Sequence, residues 1–365
     1  MTAAPLHTAD RAGPTDNAKT SVSSAEPEGK DIHFHVSSQH LQLVSPWFKR
    51  AMTKEGWAES KLTNGHYQVR AHDWDEQAFL MVLNIFHLRN KQVPRNVPLE
   101  MLAKLAVLVD YYECGEAIEL FTAMWINKVK ETAIPSSYCR DLILWVWVAW
   151  VFDMPEHCQR ATAVVMKELK EAMPTLGLPF PNFVSSVVNL RRCQAIESVI
   201  SDLHNLLDEY RSSKYKCKQN AAFSFQCSSL LLGALTKELD SWSLLSPRPE
   251  PPFLDLSFSS ICTKIRGVKS LTCFAKINMN GWFYGSGHSC ELRTAVVAIV
   301  EKAASGVVGL TLDHIRGTSK PSETISSEYI SNSYGLGRRY GLDYADDYDE
   351  DYRDEYHYHN YDSDY

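Results

Sequence analysis

The chain has 365 residues, 45% hydrophobic and 22% charged, the balance of an ordinary globular protein with length for about two domains. Its net charge of −7 is concentrated at one end: residues 340–365 hold ten acidic side chains against one arginine, a local −9 that leaves +2 for residues 1–339. No strongly basic face follows, which speaks against nucleic-acid binding by phosphate neutralisation, and nine irregularly spaced cysteines without an early apolar signal segment point to a reducing intracellular compartment, cytoplasmic or nuclear.

Residues 1–30 are rich in Ala, Thr, Ser and Pro without apolar periodicity and read as a disordered leader. Ile32, Phe34 and Val36 then alternate with His33 and His35, the pattern of a short half-buried strand. The His-x-His pair has metal-ligand spacing, but with no third ligand nearby it is assigned to the solvent face. Ser37 or Ser38 caps a helix through Leu41, Leu43 and Val44, Ser45-Pro46 interrupts it, and Trp47, Phe48, Ala51 and Met52 form a second amphipathic helix. Asn64-Gly65 turns the chain into another short strand at Tyr67–Val69. Asp73 is the expected cap of an apolar helix through Phe79, Leu80, Val82, Leu83, Ile85 and Phe86. In residues 98–126 the spacing of Leu99, Leu102, Leu105, Ala106 and Val109, and then of Ile118, Phe121, Met124 and Trp125, marks two helices in tandem. Between them, Gly115 can stop the first and Glu113 can cap the second electrostatically.

The blocks HVSSQHLQLVSPWFKRAM, HYQVRAHDWDEQAFLMVLNIFH and VPLEMLAKLAVLVDYYECGEAIELFTAMWI follow one another in the order and at the spacing of a BTB/POZ domain. Residues 31–126 resemble the form of that domain common in fungal proteins. The resemblance implies an α+β fold, helical hairpins over a small three-stranded sheet, used for association with other proteins or with a second copy and not for catalysis. Members of the family usually open with a further strand that dimers exchange; residues 1–30 supply no such strand, which argues against a strand-exchanged homodimer. Members that recruit cullin-type ubiquitin ligase scaffolds look similar in carrying an apolar residue, any residue and then Glu just after a Phe-x-x-x-Met helix. Here Trp57-Ala58-Glu59 follows Phe48 and Met52. The resemblance therefore implies partner contacts at Phe48, Met52, Trp57 and Glu59, in a scaffold or, alternatively, a substrate-recruiting adaptor of a cullin scaffold.

Residues 127–245 read as a mainly α-helical extension. Leu142 to Phe152, LILWVWVAWVF, is too short for a membrane span, which needs about 20 apolar residues. Its Trp and Val content leaves helix and strand open by periodicity, but its helical neighbours, including Ala163–Met173, favour a buried helix over an exposed aromatic groove. Ile196, Val199, Leu203, Leu206 and Tyr210 give residues 183–211 a coiled-coil-like stripe of about two heptads, shorter than a zipper requires. A helix packed within the chain is the expectation, a dimerising one the alternative. Ser228–Leu239 forms one more helix, and the Pro-rich residues 246–252 form an extended linker with the spacing of a polyproline ligand.

Residues 253–316 read as a small mixed α/β segment, with strands at Leu254–Phe258, Leu271–Ile277 and Trp282–Tyr284 and a helix at Leu292–Ala303. Cys217, Cys227, Cys262, Cys273, His288 and Cys290 are dispersed without a Cys-x-x-Cys knuckle, so no metal or other cofactor is expected. Gly285-Ser286-Gly287 lacks the residue that a nucleophile elbow needs between the first glycine and the serine. With no phosphate loop or dinucleotide fingerprint either, an enzyme is the last of the alternatives. Residues 317–365 read as a disordered Tyr/Asp-rich tail in which Tyr340, Tyr344, Tyr348, Tyr352 and Tyr356 recur every fourth residue. It suits weak multivalent binding to a basic partner or tyrosine phosphorylation, or serves only to solubilise.

Overall fold

Eleven α-helices make up most of the described residues of the computed structural model, which are 32–53, 57–130, 133–219, 221–269, 276–277, 283–284 and 290–313. The leader and the tyrosine-rich tail expected at the two ends lie outside them. Helix α1 (Ser38–Val44) is capped by Ser37, whose side chain accepts from the His40 amide, and α2 (Pro46–Thr53) begins at the proline. Between them the fully buried Ser45 donates its hydroxyl to the Tyr112 carbonyl at 2.6 Å and accepts the Phe48 amide at 3.1 Å.

The three-stranded sheet expected in residues 31–126 is absent among the described residues: that region is helical, with a single isolated bridge, Thr63 to His66. The Asn64-Gly65 turn does form, with φ of 52° and 78°, but the pairing stops at that bridge. The physical reason lies in what the alternating segments bury. Phe34 packs edge-on against Phe79 at 5.6 Å while Ile32 and Val36 stay exposed, and Tyr67 and Val69 are only half-buried. Single anchors hold each segment on the helices without aligning their backbones into a ladder.

Helix α3 (Glu76–Phe86) is capped by Asp75, two residues later than the Asp73 expected. Asp75 also bonds Lys104 of α4 (Leu99–Tyr112) at 2.8 Å, and this bond together with the Ala78 amide holds its carboxyl below the usual range. Helix α4 ends on Glu113 in the left-handed conformation, φ 51°, where the glycine was expected to act. Gly115 instead opens α5 (Gly115–Val129), whose Trp125 is fully buried and donates to the Pro94 carbonyl at 2.8 Å.

The run of Trp and Val is α6 (Arg140–Val151), a helix buried on nearly all sides between α4 and α7 (Pro155–Glu168). Trp147 donates its indole N–H to the Ala103 carbonyl of α4 at 3.2 Å, so the core of residues 32–126 continues without a break into the extension. Helix α7 starts at its proline and ends before the Met173 expected to close it. Helix α8 (Asn182–Arg211) spans 30 residues, about 45 Å at the rise of an α-helix. Its stripe of Ile196, Val199, Leu203 and Tyr210 is covered by α9 (Ser224–Ser241) and other helices of the same chain.

The Pro-rich segment is no loose spacer. The Arg192 guanidinium of α8, 1% exposed, donates to the carbonyls of Pro252 at 2.6 Å, Leu256 at 3.1 Å and Phe253 at 3.5 Å, strapping that segment to the core. Burial lowers the pKa of Arg192. Leu254–Phe258, expected as a strand, instead leads into α10 (Phe258–Arg266), which starts with a Ser257/Ser260 capping box. Of the strands expected beyond it, β1 (Lys276–Ile277) and β2 (Phe283–Tyr284) pair antiparallel, and α11 (Leu292–Gly306) follows. Residues 307–312 then lie back on α7, where Leu310 donates its amide to Thr162 at 2.8 Å. Among the described residues no helix is long and apolar enough to cross a membrane.

Candidate interaction surface

Tyr112, at the last turn of α4, organises the end of the helical unit at which α2, α4 and the approach to α3 meet. Its ring stacks on Phe48 at 4.7 Å and on Phe79 at 5.8 Å, and its hydroxyl accepts the Trp74 indole N–H at 3.0 Å. Burial pushes its pKa up to about 12. Around this hub stands a layer that reaches solvent. Trp47 packs against Trp57 at 5.8 Å and Tyr111 at 5.4 Å, and Trp74 packs against Tyr111 at 5.1 Å. Trp47, Trp57 and Trp74 are half-buried, and Tyr111 is 47% exposed. Glu59 sits half-buried in the short 3-10 turn Ala58–Ser60 just after Trp57. Arg50 and Glu113 form a bidentate ion pair that ties α2 to the end of α4.

The four residues assigned to partner contact divide here. Trp57 lies half-buried in the outer layer of the aromatic cluster and Glu59 half-buried two residues on, whereas Phe48 and Met52, 2% and 4% exposed, belong to the cluster's foundation. The two buried residues fall on the α2 face that meets α4, because the alternation that makes a helix amphipathic points its large apolar side chains inward. They form the base on which the exposed rings stand. Trp47, Trp74 and Tyr111 complete the layer. Trp74 and Tyr111 sit just ahead of a helix and at the end of one, where periodicity says nothing about which way a ring points.

A second constellation lies at the far end of the molecule. Cys217 in the loop after α8, Cys227 in the N-terminal part of α9 and Cys290 just ahead of α11 bring their Sγ atoms to within 4.8 Å of one another. Cys217 and Cys290 are 3.6 Å apart, and the Tyr215 hydroxyl lies 3.6 Å from Cys227. Burial raises the pKa of Cys227 to about 12 and raises that of Tyr215. These are three of the six potential ligands that spacing had left dispersed; Cys262 is buried in α10, and Cys273 and His288 lie outside the described residues.

No protein-family model, curated protein or solved structure matches the chain.

Proposed function

We propose that this chain is a protein-interaction protein of the cytoplasm or nucleus, whose helical unit α1–α5 binds another polypeptide through the edge formed by Trp47, Trp57 and Tyr111, with Glu59 at its rim. The reading assigns binding and no chemistry to this unit. The observation that carries it is the grouping of three indoles and a half-exposed tyrosine on a rigid base of Phe48, Phe79 and Tyr112. Rigid aromatic side chains with one open face lose little conformational entropy on binding and supply most of the energy at interfaces. The three sequence blocks of residues 31–126 that resemble fungal-type BTB/POZ domains point to the same reading, as a scaffold or self-associating protein, although the sheet of that family does not form among the described residues.

A second reading is a substrate-recruiting adaptor of a cullin-type ligase scaffold, favoured by the placing of Glu59 in a turn beside Trp57. One experiment addresses both. The wild-type chain and the variants Trp57→Ala, Tyr111→Ala and Glu59→Ala are used for affinity purification with quantitative mass spectrometry, and binding of the recovered partner and of a cullin scaffold is then titrated. Trp57→Ala is expected to weaken partner binding by about 2 kcal/mol, roughly thirty-fold, with unchanged circular dichroism. Loss on Glu59→Ala confined to the cullin selects the adaptor. If no variant alters recovery of any partner, the aromatic edge is not the binding surface.

A further inference from the structure

We propose that Cys217, Cys227 and Cys290 form a thiolate site for zinc that fastens the loop after α8 and the starts of α9 and α11 to one another. Three thiols from three separate elements, two of them buried, meet in one place. Four ligands at the ordinary zinc–sulfur distance of about 2.3 Å and tetrahedral angles place neighbouring sulfurs about 3.8 Å apart. The Cys217 to Cys290 distance of 3.6 Å and the upper bound of 4.8 Å for the set bracket that value. A disulfide needs about 2.05 Å between sulfurs, so Cys217 and Cys290 stand at ligand spacing and not at bond length.

The loop between α8 and α9 is folded around the first of these sulfurs. The Gln219 amide donates to the Cys217 sulfur at 3.4 Å, and the Cys217 amide donates to Ser224 at 3.0 Å, which folds the loop around the first ligand. Amide donors to sulfur and hydroxyls of this kind hold ligands in place and moderate their charge. Cys227, the fourth residue of α9, brings its sulfur to this loop. Soft sulfur donors at tetrahedral spacing select zinc over the hard divalent cations. One coordination position is left for a further donor or for water.

The test uses the full chain, purified under reducing conditions. Elemental analysis is expected to give about one zinc per chain, and X-ray absorption at the zinc edge to give at least three sulfur scatterers. Cys227→Ala and Cys290→Ala should each lower the zinc content to background, while Cys262→Ala should leave it unchanged. Because a variant can lose metal by failing to fold, a second measurement uses wild type alone. Chelation should lower the thermal midpoint, zinc should restore it, and cobalt added to the chelated chain should give an intense thiolate-to-metal charge-transfer band. Three results overturn the proposal: wild-type chain that neither carries zinc nor gives the cobalt band, a metal content indifferent to the Cys227 and Cys290 variants, or a Cys217–Cys290 disulfide mapped in metal-free chain.

Discussion

Gly309 shows how narrow the tolerance of a single position can be. A Cβ built there would stand 1.7 Å from the carbonyl oxygen of Gln159 and 2.8 Å from the Thr162 hydroxyl, because residues 307–312 lie directly on the backbone of α7. Gly309→Ala must displace that segment, and with it the buried Leu310 and Leu312. The expected cost is about 2–3 kcal/mol, read as a lower urea midpoint at an unchanged slope. Asp75 acts by charge and capping together. Asp75→Ala should cost about 1–2 kcal/mol, and Asp75→Asn should recover the capping part because an amide oxygen still accepts the Ala78 amide. The Asp75 carboxyl is held below its unfolded value, so its contribution is complete above about pH 4 and is lost as pH falls through the lower folded value. An acid titration of stability should therefore lose part of its slope in Asp75→Asn.

At the scale of elements, the segment 246–256 shows a carbonyl-lined seat for one guanidinium. Arg192→Met keeps most of the volume but leaves the Pro252 and Leu256 carbonyls without their donor. The expected loss is about 1–3 kcal/mol, and Arg192→Ala adds a cavity and should cost about 2 kcal/mol more. A loss confined to the alanine variant would mean that packing alone holds the strap. The same scale shows what periodicity could and could not tell. The stripes of α4, α5 and α8 were legible in Leu102, Leu105 and Val109, in Ile118 and Trp125, and in Ile196, Val199 and Leu203, because one buried face imposes a period on the sequence. The expected strands at Ile32–Val36 and Tyr67–Val69 were not formed, because alternation over three to five residues records only that a side chain is anchored and not that a neighbour is there to pair with.

For the whole molecule, the contact of α4 with α6 decides whether the first third can stand alone. Trp147 lies fully buried against Ala103, and the Arg140–Glu100 ion pair closes the rim of the same contact. A fragment ending at residue 126 would expose the α4 face that α6 covers. It is expected to lack a cooperative thermal transition and to self-associate, as measured by circular dichroism and light scattering. A fragment that melts cooperatively as a monomer would show that the break between residues 126 and 127 is a true domain boundary.

What the sequence by itself determined was local: the helical stripes of α4, α5 and α8, a serine cap at Ser37 or Ser38, the turn at Asn64-Gly65, and burial of a Trp-rich run too short to span a bilayer. Each depends on residues within a few positions of one another, so the pattern survives in one dimension. The tertiary structure alone decided which aromatic rings share the Tyr112 hub, that Phe48 and Met52 face inward, and that Cys217, Cys227 and Cys290 converge. Those outcomes depend on how helices far apart in the chain cross. Sequence spacing carries no record of distances set by the packing of one helix face on another.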